Sequence, residues 1–319
     1  MRKIVLYNPS ITTLNIGDCI IFDSIEREFS PILENAFRVD VSTHLPINKL
    51  FLRLLSDADY KFACGTNLLR NMHERFRQWD IGISNASKVG PVILVGVGWQ
   101  KGKYPLTPYS KAVYQKVLSR NYIHSVRDQF TAEQLRKIGF TNVINTGCPT
   151  VWKLTPEFCA QIPKEKAQEV IYTLTDYHRD AIKDKLTVNC LSEAYSKVYL
   201  WLQGYEDYEY AKDLEILDKV EIIPPTLKAY DDILSRNNVE YIGTRLHGGI
   251  RALQHGRRTM IIAVDGRALE KKIDIALPVI DRNKLSCEQM FEIIKMPRKT
   301  EMKIHQEEIK EWKRQFALE

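Results

Sequence analysis

Short apolar segments of strand length alternate with amphipathic helical segments along nearly the whole chain. Lys3 to Tyr7 opens the series, and Tyr60 to Cys64 and Val92 to Val97 are further apolar runs, typical of strands buried on both faces. Between them, Asp18 to Phe29 places isoleucine and phenylalanine three and four residues apart, which indicates a helix. Alternation of this kind predicts parallel sheets covered by helices.

The same alternation continues to the C-terminus and predicts an α/β fold with two doubly wound, Rossmann-like domains facing a cleft. At 319 residues the chain exceeds the size at which a single core stops growing. The pattern loosens after Gly147, so a linker is expected near residues 150–166. We predict an N-terminal domain over 1–155, a C-terminal domain over 165–298 and a closing helix over 299–319.

Further elements follow from the same periodicity and can be stated together. Strands are predicted at Tyr122 to Ser125, Asn142 to Asn145, Val170 to Leu174, Val198 to Leu202, Val220 to Ile223, Val239 to Ile242 and Met260 to Val264. Helices are predicted at Pro108 to Ser119, Thr131 to Ile138, His178 to Glu193, Thr226 to Arg236, Leu246 to His255, Leu285 to Ile294 and Glu301 to Phe316.

The composition excludes several classes of protein. No run approaches the roughly 20 apolar residues of a membrane helix, and the N-terminal apolar stretch ends at Asn8-Pro9, which favours a first strand over a signal peptide. The net charge of +6 is spread without a basic stripe, so nucleic acid is not an expected partner. The six cysteines include no Cys-x-x-Cys pair, which predicts reduced thiols rather than a zinc site. A cytoplasmic protein is expected.

Small-residue turns follow three of the N-terminal strands. Asn15-Ile16-Gly17-Asp18 lies between the first strand and the first helix, where a glycine lets backbone amides approach an anion. Helix capping by Asn15 and Asp18 is the alternative. Gly65 and Asn67 follow the strand at Tyr60, and Gly98 follows the strand at Val92. Parallel strands would bring these turns to one edge of the sheet, as residues that line the cleft.

Arg127 follows the strand that ends in Ser125, directly before the helix that Asp128 is placed to cap. The planar guanidinium suits a carboxylate or phosphate in the cleft. Pairing with Asp128 is the structural alternative.

The segment Thr244-Arg245-Leu246-His247-Gly248 carries the strongest functional signal. A fixed cation, a titratable imidazole and backbone amides come together where a strand ends and a helix begins. An anionic substrate that needs a proton transfer would use all three, so His247 is the predicted catalytic residue. In the C-terminal half, Trp201 and Gln203 end a strand as candidate cleft residues for a sugar, with packing as the alternative.

In their order, these motifs resemble the polysaccharide pyruvyl transferase family. The resemblance rests on Asn15 to Asp18, Ser125 to Asp128 with Gly147-Cys148-Pro149, and Thr244 to His247 with Ala252 and Gly256 downstream. It implies a fold similar to GT-B glycosyltransferases, and transfer of the enolpyruvyl group of phosphoenolpyruvate to a sugar as a pyruvate ketal. No further cofactor and no metal is implied.

The resemblance also implies roles and a setting. Arg127, Arg245, Leu246 and Gly248 would bind the donor. The N-terminal domain would lie on the acceptor side. A lipid-linked saccharide at the inner face of a bacterial membrane, in capsular or exopolysaccharide synthesis, would be the acceptor, with at most peripheral membrane contact.

The chain departs from the family pattern at two places. The usual run of glycines after the third strand reads Gly65-Thr66-Asn67, and a usual lysine after the last strand is replaced by Asp265-Gly266-Arg267. These departures predict conserved donor chemistry and an altered acceptor site. Two other functions stay open from the residues alone: a GT-B glycosyltransferase that uses a nucleotide-sugar, and a glycan-binding protein without catalysis.

Overall fold

The structure is a computed structural model that describes residues 1–318. Its strands are β1 (Arg2–Asn8), β2 (Ala36–Ser42), β3 (Tyr60–Cys64), β4 (Leu69–Arg70), β5 (Ile93–Val95), β6 (Trp99–Gln100), β7 (His124–Val126), β8 (Val143–Asn145), β9 (Glu169–Tyr172), β10 (Lys197–Trp201), β11 (Glu221–Ile223), β12 (Val239–Gly243), β13 (Thr259–Ala263) and β14 (Val279–Asp281). Its helices are α1 (Ile16–Leu33), α2 (Lys49–Leu55), α3 (Ala86–Val89), α4 (Pro108–Val117), α5 (Gln129–Lys137), α6 (Pro156–Ala160), α7 (Ala181–Ala194), α8 (Asp207–Asp213), α9 (Leu227–Leu234), α10 (Leu246–Gln254), α11 (Gly266–Ile275), α12 (Cys287–Lys295) and α13 (Gln306–Arg314).

The chain divides into two compact units. Unit 1 comprises Met1–Thr13, Ile21–Trp152 and the segment from His305 onward, and unit 2 comprises Leu14–Ile20 and Lys153–Ile304. The units therefore differ from the predicted domains in two segments, one near each end of the chain.

Each segment joins its unit through specific contacts. Leu14–Ile20 runs beside the segment after β10, where Ile16 donates its N–H to the carbonyl of Gln203 at 2.9 Å. In α13, Trp312 is fully buried, and its ring stacks on Phe29 with centroids 6.0 Å apart. The helix is consequently part of the unit 1 core rather than a separate closing element.

Unit 1 is built on a parallel sheet with the strand order β2-β1-β3-β5. A parallel bridge between Val97 and Val126 links the end of β5 to the end of β7, which pairs with β8. The short strands β4 and β6 pair with each other just beyond the carboxyl ends of β3 and β5. The predicted strand Val92 to Val97 is shorter than expected because Gly96 has a φ of +60°, which ends the extended backbone.

Unit 2 is built on a six-stranded parallel sheet with the order β11-β10-β9-β12-β13-β14. Numbered from the first strand of the unit, this order is 3-2-1-4-5-6, the Rossmann order. Successive strands are added on one side of β9 up to β11 and on its other side from β12 onward, so the strand order reverses between β9 and β12. Ligands of such sheets bind at that point, outside the carboxyl ends of the strands. The two parallel sheets with covering helices confirm the predicted α/β class.

Most helices begin at a short polar side chain that accepts a backbone N–H of the first turn. The predicted helix from His178 begins only at Ala181, because Asp180 caps it by accepting the N–H of Lys183 at 3.1 Å. In the same way, Asp265 accepts the N–H of Arg267 and starts α11, a helix that the sequence pattern did not reveal. Within residues 1–318, no helix has the length and apolar character needed to span a bilayer.

Candidate functional site

The carboxyl ends of β9 and β12 are held together by a short polar network. Thr244 donates its N–H to the carbonyl of Thr173 at 3.0 Å, and Arg245 donates its N–H to the hydroxyl of Thr173 at 3.1 Å. A Cβ on Gly243 would lie 2.5 Å from that hydroxyl, so only glycine permits this close approach. The network fixes the strand-to-helix turn that presents Arg245 and His247 at the point where the strand order reverses.

Arg245 is buried in unit 2, with 3% of its side chain exposed. Its guanidinium is paired with Asp207 and, at 3.0 Å, with Asp176, and its Nε donates to the carbonyl of Leu174 at 2.6 Å. Burial alone would lower the pKa of Arg245, but the charges of Asp207 and Asp176 outweigh it and raise the pKa. The guanidinium is therefore permanently charged and is neutralised by carboxylates of the protein.

Asp207 holds that guanidinium from the first turn of α8. It is fully buried and accepts the N–H groups of Gln203 at 3.0 Å and of Gly204 at 2.7 Å. Burial raises the pKa of Asp207, although Arg245 and the backbone donors oppose the shift. A Cβ on Gly204 would lie 2.2 Å from Nη2 of Arg245, so this glycine makes room for the ion pair.

His247 lies in the first turn of α10, beside the first turn of α1. A Cβ on Gly17 would lie 3.4 Å from Nδ1 of His247, 3.0 Å from Nε2 of Gln203 and 3.1 Å from Oδ1 of Asn15. Nε2 of Gln203 donates to Oδ1 of Asn15 at 3.0 Å. The structure thus brings together four residues that the sequence singled out from three distant segments.

Gln203 has a second, unsatisfied polar atom at this place. The residue is 4% exposed, and in the described part of the chain its Oε1 accepts no hydrogen bond. A Cβ on Gly248 would lie 3.1 Å from this oxygen, which places the oxygen against the start of α10. A buried acceptor without a donor costs about 1–3 kcal/mol, and a hydroxyl or ammonium group of a ligand would satisfy it.

The start of α10 also lacks a side-chain cap from its own N-cap residue, Arg245, which has no acceptor atom. The first N–H groups of a helix have no intrahelical partner and carry partial positive charge. The first turn, which contains Leu246, His247 and Gly248, is therefore suited to an anion.

In unit 1, three further predicted residues meet where β3, β5 and β7 end. A Cβ on Gly98 would lie 2.3 Å from Oδ1 of Asn67 and 2.7 Å from Nε of Arg127. Arg127 is 11% exposed, and its Nε lies 3.6 Å from a carboxylate oxygen of Asp128. Asp128 also caps α5, as predicted, by accepting the N–H of Thr131 at 2.8 Å. The geometry agrees with both interpretations of Arg127, as a residue that binds an anion and as the ion-pair partner of Asp128.

Two predicted cleft residues have a structural role instead. Trp201 is fully buried, and its ring stacks on Tyr230 with centroids 3.8 Å apart, so its faces are not available to a sugar. Gly65 has a φ of +66°, and a Cβ there would lie 2.2 Å from Ile21. It is required by the backbone and by the packing of α1. Asp18 lies in the first turn of α1, where the helix dipole favours a carboxylate.

The sequence does not reveal that Asp207 and Thr173 hold Arg245 in place. Asp207 carries no motif, and nothing in the sequence pairs it with Arg245, 38 positions away. Thr173 lies at the end of an apolar strand and carries no motif. Among residues 1–318, no group of three or more His, Cys, Asp or Glu side chains is arranged to hold a metal ion.

A family model described as polysaccharide pyruvyl transferase matches residues 15–266, a range that contains every predicted site residue. The chain belongs to the polysaccharide pyruvyl transferase family. Membership confirms the resemblance drawn from the motifs and places the chain among transferases that act on polysaccharides. No curated protein matches the chain.

Solved structures resemble this family member in fold. The UDP-GlcNAc 2-epimerase of Methanocaldococcus jannaschii, in complex with UDP-GlcNAc and UDP, matches 100% of this chain and 99% of its own, with a TM-score of 0.54 and 11% identity. S. aureus MnaA with UDP aligns over 94% of this chain and 92% of its own length, with a TM-score of 0.48 and 10% identity. E. coli heptosyltransferase WaaC with ADP-2-deoxy-2-fluoro heptose matches 82% and 88%, with a TM-score of 0.41 and 14% identity. Similarity to the epimerase, together with the strand order, confirms the GT-B-like fold class.

Proposed function

We propose that the protein transfers the enolpyruvyl group of phosphoenolpyruvate to a saccharide and forms a pyruvate ketal. The observation that carries this proposal is the position of His247. It lies in the first turn of α10, where the strand order of unit 2 reverses, and beside the Gly17 turn and the amide of Gln203. Family membership supports a saccharide as the acceptor.

Phosphoenolpyruvate carries a carboxylate and a phosphate, so its site needs cations and N–H donors. Arg245 faces two carboxylates of the protein, and the three groups together have a formal charge of −1. In this proposal Arg245 therefore fixes the shape of the turn, while the N–H groups of the α10 first turn, including those of Leu246 and Gly248, bind an anionic group. That Arg127 also binds the donor stays a prediction from the sequence.

The reaction needs one proton delivered and two removed. C3 of the enol takes up a proton, and C2 becomes electrophilic. One sugar hydroxyl attacks C2 and loses its proton, which balances the proton taken up at C3. The bond from C2 to the phosphate oxygen then breaks, and a second hydroxyl bonds to C2 and loses its proton to the released phosphate, which closes the ketal. His247 is the proposed group that moves a proton at C3 or at the attacking hydroxyl. Oε1 of Gln203 is a buried acceptor that orients such a hydroxyl.

Two ligands separate this function from a nucleotide-sugar transferase. A ligand that binds only the folded state raises the melting temperature by an amount that grows with the ratio of its concentration to its Kd. We expect phosphoenolpyruvate to stabilise the protein and UDP-GlcNAc to have no effect at equal concentration. The reverse result would favour the glycosyltransferase, and stabilisation by saccharides alone would favour the binding protein.

The role of His247 is tested by turnover. His247→Ala is expected to lower phosphate release from phosphoenolpyruvate at least about a hundredfold, because general acid–base help contributes on the order of 10²–10⁴ in rate. The matched control is His178→Ala in the same unit, since His178 is half-exposed and lies 3.8 Å from Asp265. Near-normal turnover by the His247 variant, with an acceptor that the wild type uses, would remove His247 from the chemistry.

A further inference from the structure

Unit 1 contains a cavity of about 260 Å³ next to the strand pair β4 and β6. The cavity begins just after the two turns that carry Asn67 and Gly98, since β4 and β6 are the next residues along the chain. This volume lies just below the usual range of ligand-pocket volumes, which starts at roughly 300 Å³. It therefore suits a group of the size of one sugar ring.

The wall of the cavity is held in place by hydrogen bonds. The side chain of Asn71 donates to the carbonyl of Tyr104 at 2.7 Å and accepts the indole N–H of Trp99 at 2.9 Å. The carbonyl of Asn71 accepts the N–H of Thr107 at 3.0 Å. These bonds fix the loop after β6 against the end of β4, so the cavity is part of the folded unit.

The charges that line the cavity are all positive. Its lining contains Arg70, Lys101 and Lys103 and no carboxylate. Arg70 is partly buried, and burial lowers the pKa of its guanidinium. Within residues 1–318, no carboxylate pairs with Arg70, and its buried Nε has no hydrogen-bond acceptor. A partly desolvated cation with an unsatisfied donor is stabilised by an anion.

Two exposed aromatic rings lie beside these cations. Phe76 and Tyr104 are 43% and 47% exposed, their ring centroids are 6.2 Å apart, and their planes differ by 24°. The guanidinium carbon of Arg70 lies 6.0 Å from the centroid of Phe76. Arg75 lies over the same ring, with its guanidinium carbon 5.4 Å from the centroid of Phe76. The negative face of an aromatic ring attracts cations and also the C–H groups of a sugar ring.

We propose that this cavity binds an anionic saccharide, with its sugar ring against Phe76 and Tyr104 and its phosphate or carboxylate at Arg70 and Lys103. This inference rests on the proposed function in one respect: the bound saccharide is the acceptor. Its position supports this, because the cavity continues from the turns of Asn67 and Gly98, which lie beside Arg127.

Binding is measured without phosphoenolpyruvate, by ligand-observed NMR with glucose 1-phosphate and glucuronate up to millimolar concentration. Glucose, inorganic phosphate and phosphatidylglycerol vesicles are the comparison ligands. We expect saturable binding of at least one anionic sugar, roughly tenfold tighter than glucose or phosphate alone. The binding should weaken with added salt.

Two variants and two matched controls locate the site. The double substitution Phe76→Ala and Tyr104→Ala, and separately Lys103→Glu, should each weaken binding roughly tenfold. Phe37→Ala removes another exposed aromatic ring of unit 1, and Lys111→Glu reverses another exposed charge, and both should bind like the wild type. The proposal is overturned if neither anionic sugar binds, if phosphate binds as well as both, if the variants match the controls, or if vesicles alone bind.

The test separates this inference from the proposed function. Binding of an anionic sugar at the cavity, in a protein that does not bind phosphoenolpyruvate, would remove the donor proposal and leave the cavity assignment intact. If phosphoenolpyruvate binds but the Phe76, Tyr104 and Lys103 substitutions do not weaken sugar binding, the cavity assignment fails and the donor proposal stands.

Discussion

The substitution Arg245→Met should act mainly by lowering the free energy of unfolding of unit 2, and not by removing a contact to a ligand. The substitution keeps much of the side-chain volume but leaves Asp207, which is fully buried, without its cation. Removing one partner of a buried ion pair costs about 3–5 kcal/mol. Asp207 keeps the N–H groups of Gln203 and Gly204, so we expect the lower part of this range, about 3 kcal/mol. Arg245→Ala is therefore a poor test of donor binding.

Urea unfolding followed by tryptophan fluorescence measures this loss as a shift of the transition midpoint. The matched control is Arg179→Met in the same unit, because Arg179 is 39% exposed and pairs with Glu206 at 3.2 Å. An exposed pair contributes about 0–1 kcal/mol, so the control should unfold near the wild-type midpoint. If both variants lose the same free energy, the buried pair does not stabilise the turn as argued.

Three further predictions follow from single positions. Burial lowers the pKa of His124 to about 4 in the folded state. As the pH falls below ~6.5, His124 is protonated in the unfolded chain but stays neutral in the folded chain. About 2 kcal/mol of folding stability should therefore be lost between pH ~7.5 and ~5. Urea unfolding of His124→Asn at both pH values should show that much less loss, and an equal loss would refute the assignment. Gly204→Ala should lower the melting temperature, because its Cβ would lie 2.2 Å from Arg245, and an unchanged value would mean that the ion pair can shift at no cost. Gly98→Ala should also lower the melting temperature, because its Cβ would lie 2.3 Å from Oδ1 of Asn67 and 2.7 Å from Nε of Arg127, and an unchanged value would show that these side chains can move aside at no cost.

The sequence predicts those parts of the fold that depend on local pattern. β3, β10, β12 and β13 are apolar runs bounded by turn residues, and each lies within two residues of its predicted place. β2 was missed because it is the edge strand of its sheet and its first five residues are exposed or half-buried, including the exposed Phe37. The short helix α8 was missed because aromatic and charged residues hide its periodicity.

The sequence singled out individual residues of the candidate site, but not the long-range contacts that bring them together. Gln203 and His247 follow strands of the unit 2 sheet, whereas Asn15 and Gly17 follow β1 of the unit 1 sheet. The four residues meet within unit 2 because Leu14–Ile20 packs there, which strand-end motifs alone do not predict. Burial depends on long-range packing, so the sequence does not distinguish the buried Trp201 from a surface sugar platform. Pairing of Arg245 with Asp207 is equally non-local, and it changes Arg245 from a binding group into a positioning group.

The central claim is that phosphoenolpyruvate is the donor and that the N–H groups at the start of α10 bind one of its anionic groups. Calorimetric titration of phosphoenolpyruvate into the wild type and Leu246→Pro tests it most directly. Proline at the first helical position removes one N–H donor, and Arg245 before it already has the extended backbone that a following proline requires. We predict saturable binding to the wild type and at least about tenfold weaker binding to the variant, since a charge-assisted hydrogen bond contributes about 1.5–3 kcal/mol. No binding to the wild type, or equal affinity in both proteins, would contradict the claim.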